Sequence, residues 1–329
     1  SSQKRRRRRV RGKGRDKARI IAKNQESATT EDLAVPQTIA DRPADSSLPP
    51  KRRNPAPATG NKSARDHDEP LYGALDLGTN NCRLLIARQT RDGFHVVDAY
   101  SRIVRLGEGL SARGALGDEA MLRSIEALKI CAGKMERRGV TRSRLIATEA
   151  CRAASNGAQF IARVQAEAGL ALEVVTNEDE ARLAVAGCAP LLDPECSSAL
   201  VFDIGGGSTE LMWVSMAGDK ARSKPSIEDW ISLPCGVVTL AERYGGIDVS
   251  PALYEQMVME VSDRAKSFVE RLRGTHEAAG DKFHLLGTSG TVTTIAGVHL
   301  GLKRYDRNRV DGIWITPDNV NIATKTFCR

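Results

Sequence analysis

Two stretches of the chain carry the same pattern of apolar and polar positions. Residues 71–77 (Leu-Tyr-Gly-Ala-Leu-Asp-Leu) and 199–204 (Ala-Leu-Val-Phe-Asp-Ile) are short, mainly apolar runs with one aspartate near the end. Runs of this length bounded by turn residues predict buried strands. Each is followed by a small polar turn, Gly78-Thr79-Asn80-Asn81 or Gly205-Gly206-Gly207-Ser208, and then by a second apolar run. The segment 73–86 aligns without gaps on the segment 127 residues later, so that Asp76 falls on Asp203, Gly78 on Gly205 and Asn81 on Ser208. A hairpin repeated in this way predicts two half-domains facing each other across a cleft.

Between and beyond the hairpins the period changes to that of helices. Asp118 to Gly139 places Met121, Ile125, Leu128, Ala132 and Met135 on one face, with Gly139 at the C′ position. An apolar strand at Leu145-Ile146-Ala147 runs through Thr148 into Glu149, and Asn156 to Gly169 reads as a second helix capped by Asn156. Leu172 to Thr176 reads as a strand, after which Asn177 is expected to cap a third helix with Glu180 closing a capping box. That arrangement leaves Glu178 without a local duty. Further on come a strand and glycine turn at 231–240, a long helix from Pro251 to Leu272, and a strand, small-residue turn and helix start at 284–296.

The hairpin tips present amides, hydroxyls and a carboxylate, which is chemistry for a phosphate with a hydrated divalent cation beside it. The phosphate-binding candidates are therefore Gly78, Thr79, Asn80 and Asn81 in the first tip, and Gly205, Gly206, Gly207, Ser208 and Thr209 in the second. The third turn, Gly287, Thr288, Ser289 and Gly290, offers a further anion contact at a helix start. Glu149, at the end of a strand in the cleft mouth, stands where a general base would sit. Arg102 and Arg105 precede a glycine-flanked turn and suit a phosphate clamp or, equally well, surface ion pairs.

Charge is unevenly distributed. The net of +8 over 329 residues divides into 18 Lys/Arg against 9 Asp/Glu in residues 1–70, and 31 against 32 in the rest. The first segment opens with Lys4 and Arg5 to Arg9, has no sustained apolar period and is expected to be a disordered basic tail. It reads either as a solvated linker or as a capture site for RNA or another polyanion. Neither a signal peptide nor a membrane span is expected. Seven scattered cysteines, with no Cys-x-x-Cys pair, suit a reducing cytoplasm and argue against structural zinc. Cys82 with Arg88 and Cys131 with Arg137 have the spacing of cysteine phosphatases. However, Cys82 is followed by a strand and Cys131 lies within a helical pattern, so neither is expected to be a nucleophile.

Six motifs in order, DLGTNNCR, SRIVRLGEGL, ATEACR, NEDEARL, VFDIGGGSTEL and LLGTSGTVTTIAG, resemble the exopolyphosphatase / guanosine pentaphosphate phosphohydrolase family, within the actin-like ATPase superfamily. The resemblance runs from about Leu71 to about Trp314. It implies an α/β fold of two ribonuclease-H-like lobes, with boundaries near 71–195 and 196–329, and a second lobe that is incomplete at its C-terminal end. The implied activity is a metal-dependent phosphoanhydride hydrolase that releases orthophosphate from the end of inorganic polyphosphate. Guanosine pentaphosphate hydrolysis and a catalytically weakened polyanion- or alarmone-binding protein are the alternatives. Carried over, the resemblance makes Glu149 the base, Arg102 the cleft arginine, Glu178 a magnesium-associated carboxylate, and Asp76 and Asp203 the hairpin aspartates near the metal. Mg²⁺, with Mn²⁺ as a substitute, is the expected cofactor. A homodimer is compatible with the sequence.

Overall fold

The computed structural model describes residues 70–91, 93–216, 224–246, 248–279 and 282–327. The basic tail expected at the start of the chain lies outside these residues, apart from Pro70. Among the described residues no helix is long and apolar enough to cross a membrane.

Strands β1 (Leu71–Leu77), β2 (Asn81–Thr90) and β3 (Gly93–Ile103) form an antiparallel meander. β4 (Val140–Ala147) joins β1 in parallel and β5 (Glu173–Val174) joins β4, giving the order β3-β2-β1-β4-β5. The second sheet repeats the plan. β6 (Ser198–Ile204), β7 (Thr209–Ser215) and β8 (Ser226–Leu233) form the meander and β9 (Phe283–Thr288) lies parallel to β6, in the order β8-β7-β6-β9.

The repeat extends to the register. Leu77 opposes Cys82 in the first hairpin, and Ile204 opposes Thr209 in the second. Even the irregularity between second and third strands recurs, at Ile86/Ala87 and at Trp213/Val214. A one-residue slip would turn every side chain to the other face, so a shared register means a shared division into core and cleft positions.

Helix α1 (Asp118–Arg138) buries Met121, Ile125, Leu128, Cys131 and Met135 against Leu75, Leu77, Leu84 and Ile86 of the first sheet. It ends at Gly139, whose φ of 66° is left-handed and lets its N–H reach the carbonyls of Met135 and Glu136. After the short α2 (Glu149–Ala153), α3 (Gly157–Ala168) adds Phe160 and Val164 to the same core. Asn156 precedes α3 as expected, but its side chain caps nothing. It bridges instead to Leu116, donating to the carbonyl at 3.0 Å and accepting from the N–H at 2.8 Å.

Helix α4 (Asn177–Cys188) follows β5 yet packs Ala181 and Val185 on Ala199, Val201, Met212 and Val214 of the second sheet. The chain thus passes to the second sheet at α4, ahead of the boundary expected near 195. Hydrophobic period shows that a helix has a buried face; it does not show which sheet that face covers. The cap also differs from expectation. Thr176, not Asn177, is the N-cap, and its hydroxyl oxygen accepts from the Asp179 N–H at 3.1 Å.

Helices α5 (Val237–Tyr244), α6 (Pro251–Ala279), α7 (Ser289–His299), α8 (Arg307–Val310) and α9 (Pro317–Phe327) complete the described chain. Phe268 and Leu272 of α6 cover the other face of the second sheet at Trp213. Cys82 and Cys131 are fully buried with their sulfurs 4.0 Å apart, and their mutual hydrogen bond and burial push the Cys82 thiol far up. Neither has the exposed, electropositive setting of a nucleophile.

Phe160 has no exposed surface between α1, α3 and the first sheet. Phe160→Ala is expected to cost about 3–5 kcal/mol in urea unfolding. A loss below about 1 kcal/mol would show that this core collapses around the cavity.

Candidate active site

The repeated register brings the two hairpin tips into contact. In each tip a glycine N–H closes the turn, Gly78 onto the Asn81 carbonyl at 2.9 Å and Gly205 onto the Ser208 carbonyl at 3.0 Å. The other tip carbonyls are tied outward. Thr79 O accepts from Gly107, and Asn80 O from Val104 and Arg105, at 2.9–3.0 Å. In the second tip the carbonyls of Gly205, Gly206 and Gly207 accept from Val237, Val238 and Gly236 at the start of α5. Because a trans peptide points its N–H opposite to its C=O, tips with outward carbonyls turn their amides toward the cleft. Reaching Asn80 forces Arg105 into the left-handed region at φ 49°, a strained conformation for a non-glycine residue.

The tip glycines are needed for closeness rather than for unusual dihedrals. None of Gly78, Gly205, Gly206 or Gly207 has positive φ. A Cβ on Gly207 would lie 2.6 Å from Thr79 Oγ1 and 2.9 Å from Glu149 Cγ, and one on Gly236 would lie 2.4 Å from the Gly206 backbone.

Between the tips lies a polar cavity of about 100 Å³. It is lined by the loops 78–81 and 205–208, by Thr148 and Ser289, and by Asp76, Arg83, Glu149, Glu180, Asp203 and Glu210. Five carboxylates therefore share one small space. Burial pushes the carboxyls of Asp76, Glu180, Asp203 and Glu210 upward, and Glu180 reaches about 7 with the charges of Glu210 and Asp76 adding to the effect. Arg83 opposes the shift at Asp76 and Asp203. Arg152 of α2 gathers Glu149 and Glu180, donating from Nη2 to their carboxylates at 2.6 and 3.0 Å, while its Nη1 donates to the Val175 carbonyl at 2.6 Å.

Several expected residues take other places. Glu178 is half-exposed and pairs with Arg182 on its own helix at 2.6 Å, away from the cavity. With the cap at Thr176, residues 178 and 180 stand about 200° apart around α4. Glu180 turns in and Glu178 turns out. Arg102 also lies off the cavity lining; its nearest acid is Glu126 at 3.7 Å. The Thr209 hydroxyl donates to the Cys235 carbonyl at 2.7 Å. From the third turn only Ser289 lines the cavity, bonded to Asp203 and held at φ 76°, whereas Gly287, Thr288 and Gly290 do not.

Arg83, Glu180, Glu210 and Arg152 are the residues the sequence reading missed. A signal for two of them was present. Across the hairpins Asp76 opposes Arg83 and Asp203 opposes Glu210, so the register alone puts a charged residue beside each aspartate.

Two lobes of this α/β plan, with their glycine-rich tips meeting at a polar cavity, define an actin-like ATPase-type fold. The family model for the Ppx/GppA phosphatase family matches residues 85–312, and the chain belongs to that family of phosphoanhydride hydrolases. Among solved structures, an exopolyphosphatase-like protein is 29% identical over 79% of this chain and 78% of its own, with a TM-score of 0.68. The Ppx/GppA family member of Aquifex aeolicus is 28% identical over 79% of each chain at 0.61. An exopolyphosphatase from Cytophaga hutchinsonii is 25% identical over 78% of this chain and 80% of its own at 0.65.

The contact of the tips can be tested with two glycines. Gly207→Ala drives a methyl into Thr79 and Glu149 and is expected to lower kcat/KM on the order of 10²-fold. Gly78→Ala meets nothing nearer than 3.6 Å and is expected to stay within a few-fold of wild type. Equal effects in a phosphate-release assay would mean the tips are not held together during turnover.

Proposed function

We propose that the chain is an exopolyphosphatase in which Glu180 is the general base that orients and deprotonates the attacking water. The observation that carries this reading is the setting of Glu180. It is buried in the cavity between the two amide-bearing tips, 3.0 Å from the Arg152 guanidinium, with its carboxyl raised to about 7. A base is most effective when its pKa lies near the working pH. Glu149, the base expected from the sequence, shares Arg152 but lies against Gly207, where it fits better as a second partner that fixes the guanidinium.

The tip amides, with Thr79, Asn80, Asn81 and Ser208, hold the terminal phosphoryl oxygens. Phosphoryl transfer needs positioning and charge neutralisation more than covalent chemistry. Five carboxylates and two arginines leave the site short of positive charge for a polyanion. Among the described residues no group of three His, Cys, Asp or Glu side chains is placed to hold a metal unaided. The donors fit the looser mode of Mg²⁺, which keeps waters and takes one or two carboxylates together with substrate oxygens. Asp76 and Asp203, close enough to feel each other's charge, are the residues that would hold it. Bound there, Mg²⁺ or Mn²⁺ would offset charge on the transferred phosphoryl group. The lining of small polar and charged residues offers no flat apolar surface for a purine, which favours inorganic polyphosphate over guanosine pentaphosphate.

Glu180→Gln is expected to lower kcat on polyphosphate by about 10²–10⁴-fold while substrate binding persists. Glu178→Ala should leave kcat near wild type. The reverse ranking in a phosphate-release assay would return the role to the outer carboxylate. Chelation with EDTA should abolish turnover and Mg²⁺ should restore it; full activity in chelator would remove the metal from the reading.

The raised carboxyl also sets a pH dependence. The folded protein keeps the Glu180 proton above the ordinary value of 4.5, so in that window it binds more protons than the unfolded chain. This contribution to stability is complete below pH 4.5 and is lost as pH rises through about 7. Without metal or substrate, Glu180→Gln should therefore flatten the fall of Tm across that window. An unchanged slope would place the titration on another group.

A further inference from the structure

We propose that Glu242 is a positioning residue that ties together, from outside the cleft, the two segments on which the hairpin tips rest. The inference builds on the reading that both tips hold the terminal phosphate. Each tip has its own brace. Residues 104–107 donate to the Thr79 and Asn80 carbonyls, and residues 236–238, at the start of α5, donate to the carbonyls of Gly205, Gly206 and Gly207. Neither brace lines the cavity. Just past the first brace, the Gly109 N–H donates to the carboxylate of Glu242 on α5. This bond spans 133 residues of sequence and joins one brace to the other.

Both ends of the bond are anchored. In the first lobe, Arg123 of α1 donates to the Val104 carbonyl at 3.1 Å and to the Glu108 carboxylate at 2.5 Å, and Arg113 donates to the Glu108 carbonyl. In the second, α5 is fixed at its start by the tip carbonyls and at its end by Arg243 and Tyr244, which both donate to Glu260 of α6. Glu242 itself is exposed and joins no ion pair among the described residues, so the Gly109 amide is what its carboxylate serves. The contacts close a ring, with tip against tip inside, each tip on its brace, and brace on brace through Glu242 outside. Lobes that met only at the tips could swing about that point. A second contact to one side opposes the swing, and separating the lobes must break it.

Glu242 therefore biases the free protein toward apposed tips, and that bias has a kinetic signature. When only a fraction of free molecules is competent to bind, apparent affinity falls by that fraction. A substrate bonded to both tips then draws the remaining molecules closed at saturation. Loss of the tie raises KM and leaves kcat unchanged. A residue needed only for the fold does the opposite, because its loss lowers the active fraction and hence kcat at constant KM.

The test pairs steady-state phosphate release from long-chain polyphosphate in Mg²⁺ with hydrogen–deuterium exchange of the free full chain over residues 104–110 and 236–244. Glu242→Ala is expected to raise KM about ten-fold at unchanged kcat, the worth of one hydrogen bond to a charged group, and to speed exchange in both segments. Alanine favours a helix at an exposed position, so circular dichroism should be unchanged. Glu242→Gln keeps an acceptor oxygen but loses the charge, which roughly halves such a bond, so its KM should rise only about three-fold. The proposal is overturned by a Glu242→Ala variant with wild-type KM and exchange, by a fall in kcat at constant KM, or by a glutamine variant no better than alanine. A wild type that releases no phosphate from polyphosphate would count against the substrate reading instead. Exchange then decides the tie alone: faster in Glu242→Ala upholds it, and equal rates overturn it.

Discussion

The close approach of the two hairpin tips governs the rest of the molecule. It requires that carbonyls of both loops be drawn outward, to residues 104–107 on one side and to the start of α5 on the other. It also requires that Gly206 and Gly207 leave room for Thr79, Asn80 and Glu149. The two sheets and the strained backbone at Arg105 are the scaffold that holds this contact. A buried loop whose polar groups were not all assigned partners would cost several kcal/mol, and the outward hydrogen bonds are how this fold avoids that cost.

Closing the tips encloses carboxylates. Asp76, Glu180, Asp203 and Glu210 are all shifted upward, each mainly by burial, and two guanidiniums do not balance them. The free site therefore destabilises the folded state relative to an apolar cavity, a common cost of a site organised for chemistry. The imbalance has a direction. It favours protons on the carboxyls of the free site, and it is at Glu180, raised to about 7, that the carboxyl can gain or lose its proton near neutral pH.

Much of this was legible in the chain. The gapless repeat foretold both hairpins, their facing arrangement and the glycine-rich tips that line the cavity, because a hairpin's register follows from a short local sequence. Helix α1 and its glycine stop were equally local. Two placements differed from expectation. At α4 the cap falls on Thr176 rather than Asn177, and Glu180 lines the cavity while Glu178 pairs with Arg182 outside it, since two residues along a helix is more than half a turn. At Arg102, sequence proximity to a glycine turn stood in for a direction that only the strand's pleat determines. The destination of α4, across on the second sheet, depended on a tertiary contact that no window of sequence contains.

The duplicated plan also explains how a symmetric scaffold supports an asymmetric reaction. The repeat places an aspartate at the same point of each half, and each faces one residue across its hairpin. In the first half that residue is Arg83, and in the second it is Glu210. These two positions, equivalent in backbone, carry opposite charges. The first half can therefore offset negative charge near its aspartate, while the second deepens the field that lifts Glu180. Arg152 adds to the distinction by fastening Glu180, borne on a helix packed on the second sheet, to α2 beneath the first. The tip backbones are alike in the two halves, whereas the charge of the cavity depends on the few side chains in which they differ.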